Sequence, residues 1–231
     1  MQIPRTLNQD FFKIWTPGMA YVLGYFAADG SMIRNARGGN FIEFTSVDKI
    51  LITQLREAVG SNHRIARRER GGNARTAYRI QIGSKEWFTD LSALGFTQNK
   101  SNALGFPEVP DEYFGHFVRG YFDGDGCVYF RQHWSRQKFK QIWVFGTLFT
   151  SGSKCFLEEL HIALRNYGVK GGYLRQKTKR GFDLVLSRHD SLALYRLMYN
   201  TAEVADLFLP RKREKFERAI QVLGFDTSMQ S

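Results

Sequence analysis

At 231 residues the chain is long enough for one large domain or two small ones, and its 33 Lys and Arg against 22 Asp and Glu give a net charge of +11, which points to an acidic partner such as nucleic acid or an anionic membrane surface, the plain alternative being a basic soluble protein. With 43% hydrophobic and 15% aromatic residues and no Pro-rich or Ser-rich tract, burial can offset the entropy of ordering, so disorder is expected only at the ends. No apolar run reaches the length of a membrane span and MQIPRTLNQD lacks a secretory leader pattern, so an intracellular protein is expected, with bacterial or archaeal cytoplasm and an organelle both open.

The first predicted element is a helix from Thr16-Pro17 to Gly30. Thr can cap it, Pro suits the first helical position, and Met19, Tyr21, Val22, Leu23, Tyr25 and Phe26 make it apolar nearly all round, which predicts burial on more than one side. SMIRNARGGNFIEFTS alternates as a strand hairpin, DKILITQLREAVG reads as an amphipathic helix closing at Gly, NHRIARRERGGNARTAYRIQIG as a second hairpin with a basic Gly-rich turn, and KEWFTDLSALG as a short helix. SNALGFPEVPDEY, with Pro107 and Pro110, reads as a join. The same order then recurs. An apolar helix runs from Pro110-Asp111 through Phe114, Phe117, Val118, Tyr121 and Phe122 to Gly126, followed by CVYFRQHWSRQKFKQIWVFGTLFTS, SKCFLEELHIALRNYG, KGGYLRQKTKRGFDLVLS and HDSLALYRLMYN.

Phe44-Thr45-Ser46 matches Phe149-Thr150-Ser151 at an offset of 149 − 44 = 105, and the Asp-Gly helix ends match at 125 − 29 = 96. The difference of nine fits a longer first hairpin in the second half. The predicted fold is therefore α+β: two αββαββα repeats, residues 1–105 and 106–231, joined near 101–113. Cys127 and Cys155 are too few for a disulfide framework or a Cys-based zinc site, and both are expected to be small buried hydrophobes.

The paired segments AYVLGYFAADGS (20–31) and HFVRGYFDGDGC (116–127) carry the chemistry. Gly24 and Ala28, like Gly120 and Gly124, fall four apart on one helix face. A mid-helix Gly costs roughly 1 kcal/mol relative to Ala, so its recurrence calls for a packing reason. The simplest is that the two helices pack together, which would set Asp29 and Asp125 side by side. A carboxylate there faces the unfavourable end of the helix dipole, and two together repel. That arrangement is poor as structure and useful as a Mg²⁺ site. A single Asp-Gly would be read as a turn; its recurrence after matched Gly-Tyr-Phe helices reverses the preference.

VLGYFAADG (22–30) and VRGYFDGDG (118–126) resemble the two motifs of a single-chain LAGLIDADG homing endonuclease, or meganuclease, and the repeat order extends the resemblance over nearly the whole chain. The resemblance implies motif helices packed at the centre, antiparallel sheets forming a DNA-binding saddle, and a monomer with internal pseudo-twofold symmetry. It implies that Asp29 and Asp125 bind Mg²⁺, for which Mn²⁺ may substitute, with the backbone carbonyls of Ala28 and Gly124 alongside. Asp123 has only Ala27 as its counterpart and is not expected to be essential. A basic residue late in each repeat would polarise phosphate or order water, which maps to Lys100 and Lys212, with Arg211 a near competitor. Asp48 and Ser153 map to a polar position that contacts solvent or metal, and both are equally good helix N-caps. The implied activity is hydrolysis of both strands of a long asymmetric DNA target across the minor groove, leaving 3′ overhangs. The alternative is a non-cleaving relative, an RNA maturase or DNA-binding regulator, although neither motif acid is missing. An intein endonuclease is disfavoured because no splicing block flanks the repeats.

Polar and basic residues alternate along the hairpins, so one face of each sheet is expected to meet double-stranded DNA. The first half offers Ser31, Arg34, Asn35, Arg37, Asn40 and Glu43, then Arg64, Arg67, Arg68, Arg70, Arg75, Arg79 and Gln81. The second offers Arg131, Gln132, His133, Ser135, Arg136, Lys138, Lys140 and Gln141, then Arg175, Gln176, Lys177, Lys179, Arg180 and Asp183. Hairpin tips are expected to grip phosphates. A membrane-surface protein would need a basic amphipathic helix, and the basic residues sit mainly on hairpins instead.

Overall fold

The computed structural model describes residues 4–69, 75–98, 104–177, 181–200 and 207–226. Helix α1 (Pro17–Asp29) starts where Thr16 accepts a hydrogen bond from the Met19 amide at 3.0 Å, with Pro17 in its first turn. All residues from Met19 to Ala27 are buried, as are all from Phe114 to Asp123 in α4 (Asp111–Asp125). The burial comes from mutual packing of the two helices. A Cβ placed on Gly24 would lie 2.0 Å from the Phe117 carbonyl oxygen, and one on Gly120 would lie 2.0 Å from that of Tyr21. The two backbones touch, and only glycine permits it.

Each helix passes directly into a strand at its Asp-Gly step. A Cβ on Gly30 would meet the Phe26 ring at 2.0 Å, and one on Gly126 the Phe122 ring at 2.2 Å. The first repeat continues as β1 (Gly30–Arg34), β2 (Asn40–Ser46), α2 (Lys49–Ala58), β3 (Ala66–Arg68), β4 (Ala77–Gly83) and α3 (Lys85–Ala93), with antiparallel sheet order β1-β2-β4-β3. The second is β5 (Gly126–Ser135), β6 (Lys140–Ser151), α5 (Lys154–Arg165), β7 (Tyr173–Gln176), β8 (Phe182–Leu186) and α6 (Arg188–Tyr199), ordered β5-β6-β8-β7. Helices cover one face of each sheet, where Met32, Ile42, Phe44, Ile80 and Ile82, and Val128, Phe130, Phe145, Phe149 and Leu184, enter a single core with α1 and α4. The αββαββα order thus holds in both halves.

The second half carries one more helix than the repeat pattern predicts. In α7 (Pro210–Leu223), Pro210 stands in the first turn, Gly224 closes the end at φ 66°, and Lys212, Phe216, Ala219 and Ile220 are buried. The longer hairpin of the second half is also present, as β5 and β6 pair from Gly126↔Phe149 to Ser135↔Lys140. Both cysteines are exposed, contrary to the expectation of burial. Cys127 lies at the uncovered start of β5, and Cys155 in the first turn of α5 has its thiol 3.4 Å from Glu159.

One side of α4 holds polar residues inside the core. His116, Arg119 and Asp123 follow helical spacing and are all buried. The Arg119 guanidinium donates to the Met198 carbonyl at 2.6 Å, to the Leu207 carbonyl at 3.0 Å, and lies 3.0 Å from His116 Nδ1. With an offset of 96 the first repeat has Ala20, Leu23 and Ala27 at these places, so this polar row is what receives α6 and the approach to α7. Burial, and then the Arg119 charge, push His116 down to about 4. A histidine whose folded pKa lies below its unfolded value contributes stability above the unfolded pKa and loses it as pH falls. Acidification from about 6.5 to about 4 should therefore lower the unfolding free energy by roughly 2–3 kcal/mol through this residue. Denaturant titrations at stepped pH should show that loss in the parent and a shallower one in His116→Gln.

Candidate functional site

The α1–α4 contact places the two motif ends together. At Gly124 a Cβ would lie 2.4 Å from the Ala28 methyl and 3.5 Å from Asp29 Oδ2, so the Asp29 carboxylate reaches toward the end of the opposite helix. Below them the two motif tyrosines are used alike: Tyr25 donates to the Thr45 carbonyl at 2.7 Å and Tyr121 to the Thr150 carbonyl at 2.9 Å. Burial, followed by negative charge from the aspartates, drives both phenols up. Tyr25 feels Asp29 and Asp125, and Tyr121 feels Asp125 and Asp29. Each carboxylate therefore lies within electrostatic reach of both tyrosines.

Beside Asp29 is a cavity of about 190 Å³, lined by Asp29, Thr45, Ser46, Val47, Asp48, Asp123, Gly124 and Arg211. Arg211, from the first turn of α7 in the second half, forms a two-pronged pair with Asp48 of the first: Nη2 to Oδ2 at 2.7 Å and Nε to Oδ1 at 3.1 Å. The pair raises the Arg211 pKa, and its side chain stays 55% exposed. Asp48 makes no side-chain cap to α2.

Lys212 is placed differently from the expectation of a phosphate-facing or solvated cation. It is buried, and its ammonium donates to the carbonyls of Phe122 at 2.6 Å and Asp123 at 2.9 Å. Burial pulls its pKa down to about 8 against the opposing charge of Asp123. It binds the C-terminal carbonyls of α4, where a cation is favoured. Ser153 is likewise a structural cap: its buried hydroxyl accepts from the Phe156 amide at 3.2 Å and donates to the Leu104 carbonyl at 2.8 Å. The repeat-matched pair Asp48 and Ser153 thus separates into one cavity residue and one helix cap. Lys100 lies outside the described residues.

Asp123, to which the sequence assigns no essential role, anchors α7. Its Oδ2 accepts from Tyr21 Oη and from the Leu209 amide, both at 2.8 Å, while Oδ1 is buried with no hydrogen-bond partner among the described residues. Burial raises its pKa to about 6 despite the nearby Lys212. The signal was present as an acid at i+4 from Arg119 on a buried helix, which needs a partner from elsewhere in the fold.

Strand register sorts the candidate DNA-contacting residues. The uncovered face of the first sheet presents Ser31, Glu43, Arg68, Arg79 and Gln81, with Arg64 beside it; Glu43 holds Arg79 at 3.2 Å and lies 3.5 Å from Gln81 Nε2. Arg34 and Asn40 share the covered face of Met32 and Ile42. They bond to each other at 3.1 Å, and Arg34 lies 5.3 Å above the Phe88 ring. Arg67, opposite Tyr78, is also on that face and pairs with Glu69 at 3.3 Å. Asn35 is spent in the β1–β2 turn, where its side-chain oxygen accepts from the Arg37 and Gly39 amides at 3.0 and 2.8 Å. Arg37 is exposed in that turn and Arg75 just before β4.

In the second sheet the uncovered face carries Arg131, His133, Ser135, Lys140, Arg175 and Asp183, with Lys177 just after β7, whereas Gln132, Gln141 and Gln176 alternate to the opposite side. Asp183 is buried and holds Arg175 at 2.8 Å, Lys177 at 3.6 Å and the Thr150 hydroxyl at 2.8 Å, so it positions two of the cations on this face. Arg136 and Lys138 occupy the exposed β5–β6 turn. Arg70, Lys179 and Arg180 lie outside the described residues. An arm missed in the sequence adds Arg5 and Gln9, which line a groove of about 470 Å³ with Arg64, Arg79 and Gln81. Asn62 clamps that arm through the Thr6 amide at 2.9 Å and the Pro4 carbonyl at 2.8 Å.

No helix among the described residues is long and apolar enough to cross a membrane. Comparison with known proteins places this geometry. The chain is similar in fold to I-SmaMI bound to an uncleaved DNA target in the presence of calcium ions (TM-score 0.56, 12% identity, 91% of this chain and 92% of that one). It is similar also to the LAGLIDADG homing endonuclease I-LtrWI bound to target DNA (0.55, 11%, 94% and 92%) and to the homing endonuclease I-WcaI bound to its DNA recognition sequence (0.57, 16%, 90% and 90%). In sequence it is 23% identical over 233 residues to the DNA-directed RNA polymerase subunit Rpo1C of Methanocaldococcus jannaschii, and it spans only 23% of that protein's length. The family model for the LAGLIDADG-like domain matches residues 17–91 and again 113–209. With both motifs in one chain and their helices packed glycine to backbone, the protein belongs to the LAGLIDADG-like domain family.

Proposed function

We propose that the chain is a site-specific endonuclease that hydrolyses both strands of a long, asymmetric duplex, leaving 3′ overhangs. The observation that carries this reading is the convergence of Asp29 and Asp125 at the ends of two touching helices, one from each half. A pair of like charges at the unfavourable end of two dipoles is retained where a cation is to be bound. The neighbouring cavity offers oxygen donors and one guanidinium, a set that suits Mg²⁺ or Mn²⁺. Among the described residues no group of three or more His, Cys, Asp or Glu is placed to hold a metal. The remaining ligands are then water and phosphate oxygens, with the carbonyls of Ala28 and Gly124 at the helix ends. Bound there, a divalent cation supplies Lewis-acid polarisation and an activated water.

The chain's own groups do the positioning. Arg211 is the exposed cation at the cavity and the better candidate for the phosphate-facing role, with Asp48 holding its guanidinium flat until DNA arrives. Lys212 keeps the end of α4 in place from beneath, and Asp123 docks α7. Replacing Arg211 by Ala should lower single-turnover cleavage by roughly 10²-fold with binding little changed. An equal loss of binding would assign Arg211 to DNA affinity instead.

Selection of cleaved sites from a randomised duplex library in Mg²⁺ tests the proposal. Recovery of one long non-palindromic site with 3′ overhangs is expected. Retention of duplex or RNA with no cutting would replace it with a non-cleaving regulator or maturase.

A further inference from the structure

The two uncovered sheet faces differ at their centres. In the first, Glu43 faces Gln81 across the β2–β4 pairing. At the matching step of the second, Leu148 faces Val185 across β6–β8. Along β6 the same face continues past Gly146, opposite Tyr129, to Val144 and Ile142, whose partners on β5 are Arg131 and His133. All four apolar side chains are partly exposed, and they form a stripe where a polar pair would be expected on a solvated sheet. Arginines border the stripe, Arg131 on one side beside His133 and Arg175 on the other.

An apolar strip within a cationic frame fits a polyanion that also presents apolar groups. In duplex DNA the group of that kind in the major groove is the thymine C5 methyl, while the other base edges there display donors and acceptors. Resting on the endonuclease reading above, we propose that the second half reads its half-site through thymine methyls, with Ile142, Val144, Leu148 and Val185 as specificity-determining residues. The first half reads by hydrogen bonds through Glu43, Arg79 and Gln81. The two half-sites should accordingly differ in kind, one enriched in thymine at successive steps and the other not.

Replacing thymine by deoxyuridine removes only the methyl and leaves pairing intact. With the selected target in Ca²⁺, equilibrium titrations should show affinity falling about fourfold for each contacted methyl removed from the second half-site, with the first half-site unaffected. The Leu148→Glu, Val185→Gln variant, which recreates the polar pair of the first half, should lose the deoxyuridine penalty at the steps read by that pair and keep it at those read by Ile142 and Val144. Tight specific binding that ignores deoxyuridine, or loses equally in both half-sites, overturns this inference and leaves the endonuclease reading intact. Failure to select any duplex overturns both. A stripe that instead joins two copies of the chain would appear as a dimer in sedimentation and show no deoxyuridine effect.

Discussion

Asp29→Asn and Asp125→Asn are each expected to abolish double-strand cleavage, by at least about 10³-fold, while duplex affinity changes less than about threefold. The asymmetry follows from where the side chains stand. Both carboxylates lie at the shared ends of α1 and α4, and neither belongs to the sheet faces that carry the candidate DNA-contacting cations. Asn keeps the shape and removes the charge a cation needs, so loss of chemistry separates from loss of binding. Because the two ends are adjacent, each substitution should reduce cutting of both strands. Electrophoresis of end-labelled duplex measures both strands at once, and full cutting by either variant would sink the assignment of these two residues. Binding should tighten slightly, since one negative charge facing phosphate is lost.

The second large effect is on stability. Gly120→Ala drives a methyl into the Tyr21 carbonyl oxygen and Gly24→Ala into that of Phe117, each at 2.0 Å. No side chain can rotate away, because the obstacle is backbone. The helices must separate, and their packing extends along most of both, so losses above about 3 kcal/mol are expected. Gly105→Ala meets nothing within 4 Å and should be neutral. Thermal denaturation of the three variants decides the matter: equal midpoints for Gly105→Ala and Gly120→Ala would show that the halves are not joined as described.

The central architecture was readable because its signals recur. Gly24 with Gly120 and Asp29 with Asp125 check each other across the repeat, and the capping pair Thr16-Pro17, which has no counterpart at the start of α4, reads from its own short-range chemistry. What failed to read depended on phase and on partners distant in sequence. Arg34 and Asn40 are expected to face DNA because they are polar, yet Arg34 alternates in step with the buried Met32 and so lies on the covered face, at its exposed edge over the Phe88 ring. Lys212 is in phase with Phe216 and Ala219 on α7, and Arg211 is one step out of phase. Without α7 recognised as a helix, nothing distinguished a buried clamp from an exposed cation. Asp123 reads as dispensable because Ala27 is its counterpart in the other repeat, whereas the Leu209 amide that it accepts from lies at the start of α7, a helix with no counterpart in the first repeat, and Tyr21 reaches it across the contact between the two motif helices.

The Arg211–Asp48 pair also bears on how such a chain can be rebuilt. Recombining halves from two relatives treats each repeat as a portable cassette with its seam in the linker. Here α7 reaches from the second cassette into the cavity of the first, so the functional seam does not coincide with the linker. A hybrid that takes its first repeat from elsewhere must import an acid at position 48 together with that repeat, or it will leave Arg211 without the residue that aims it.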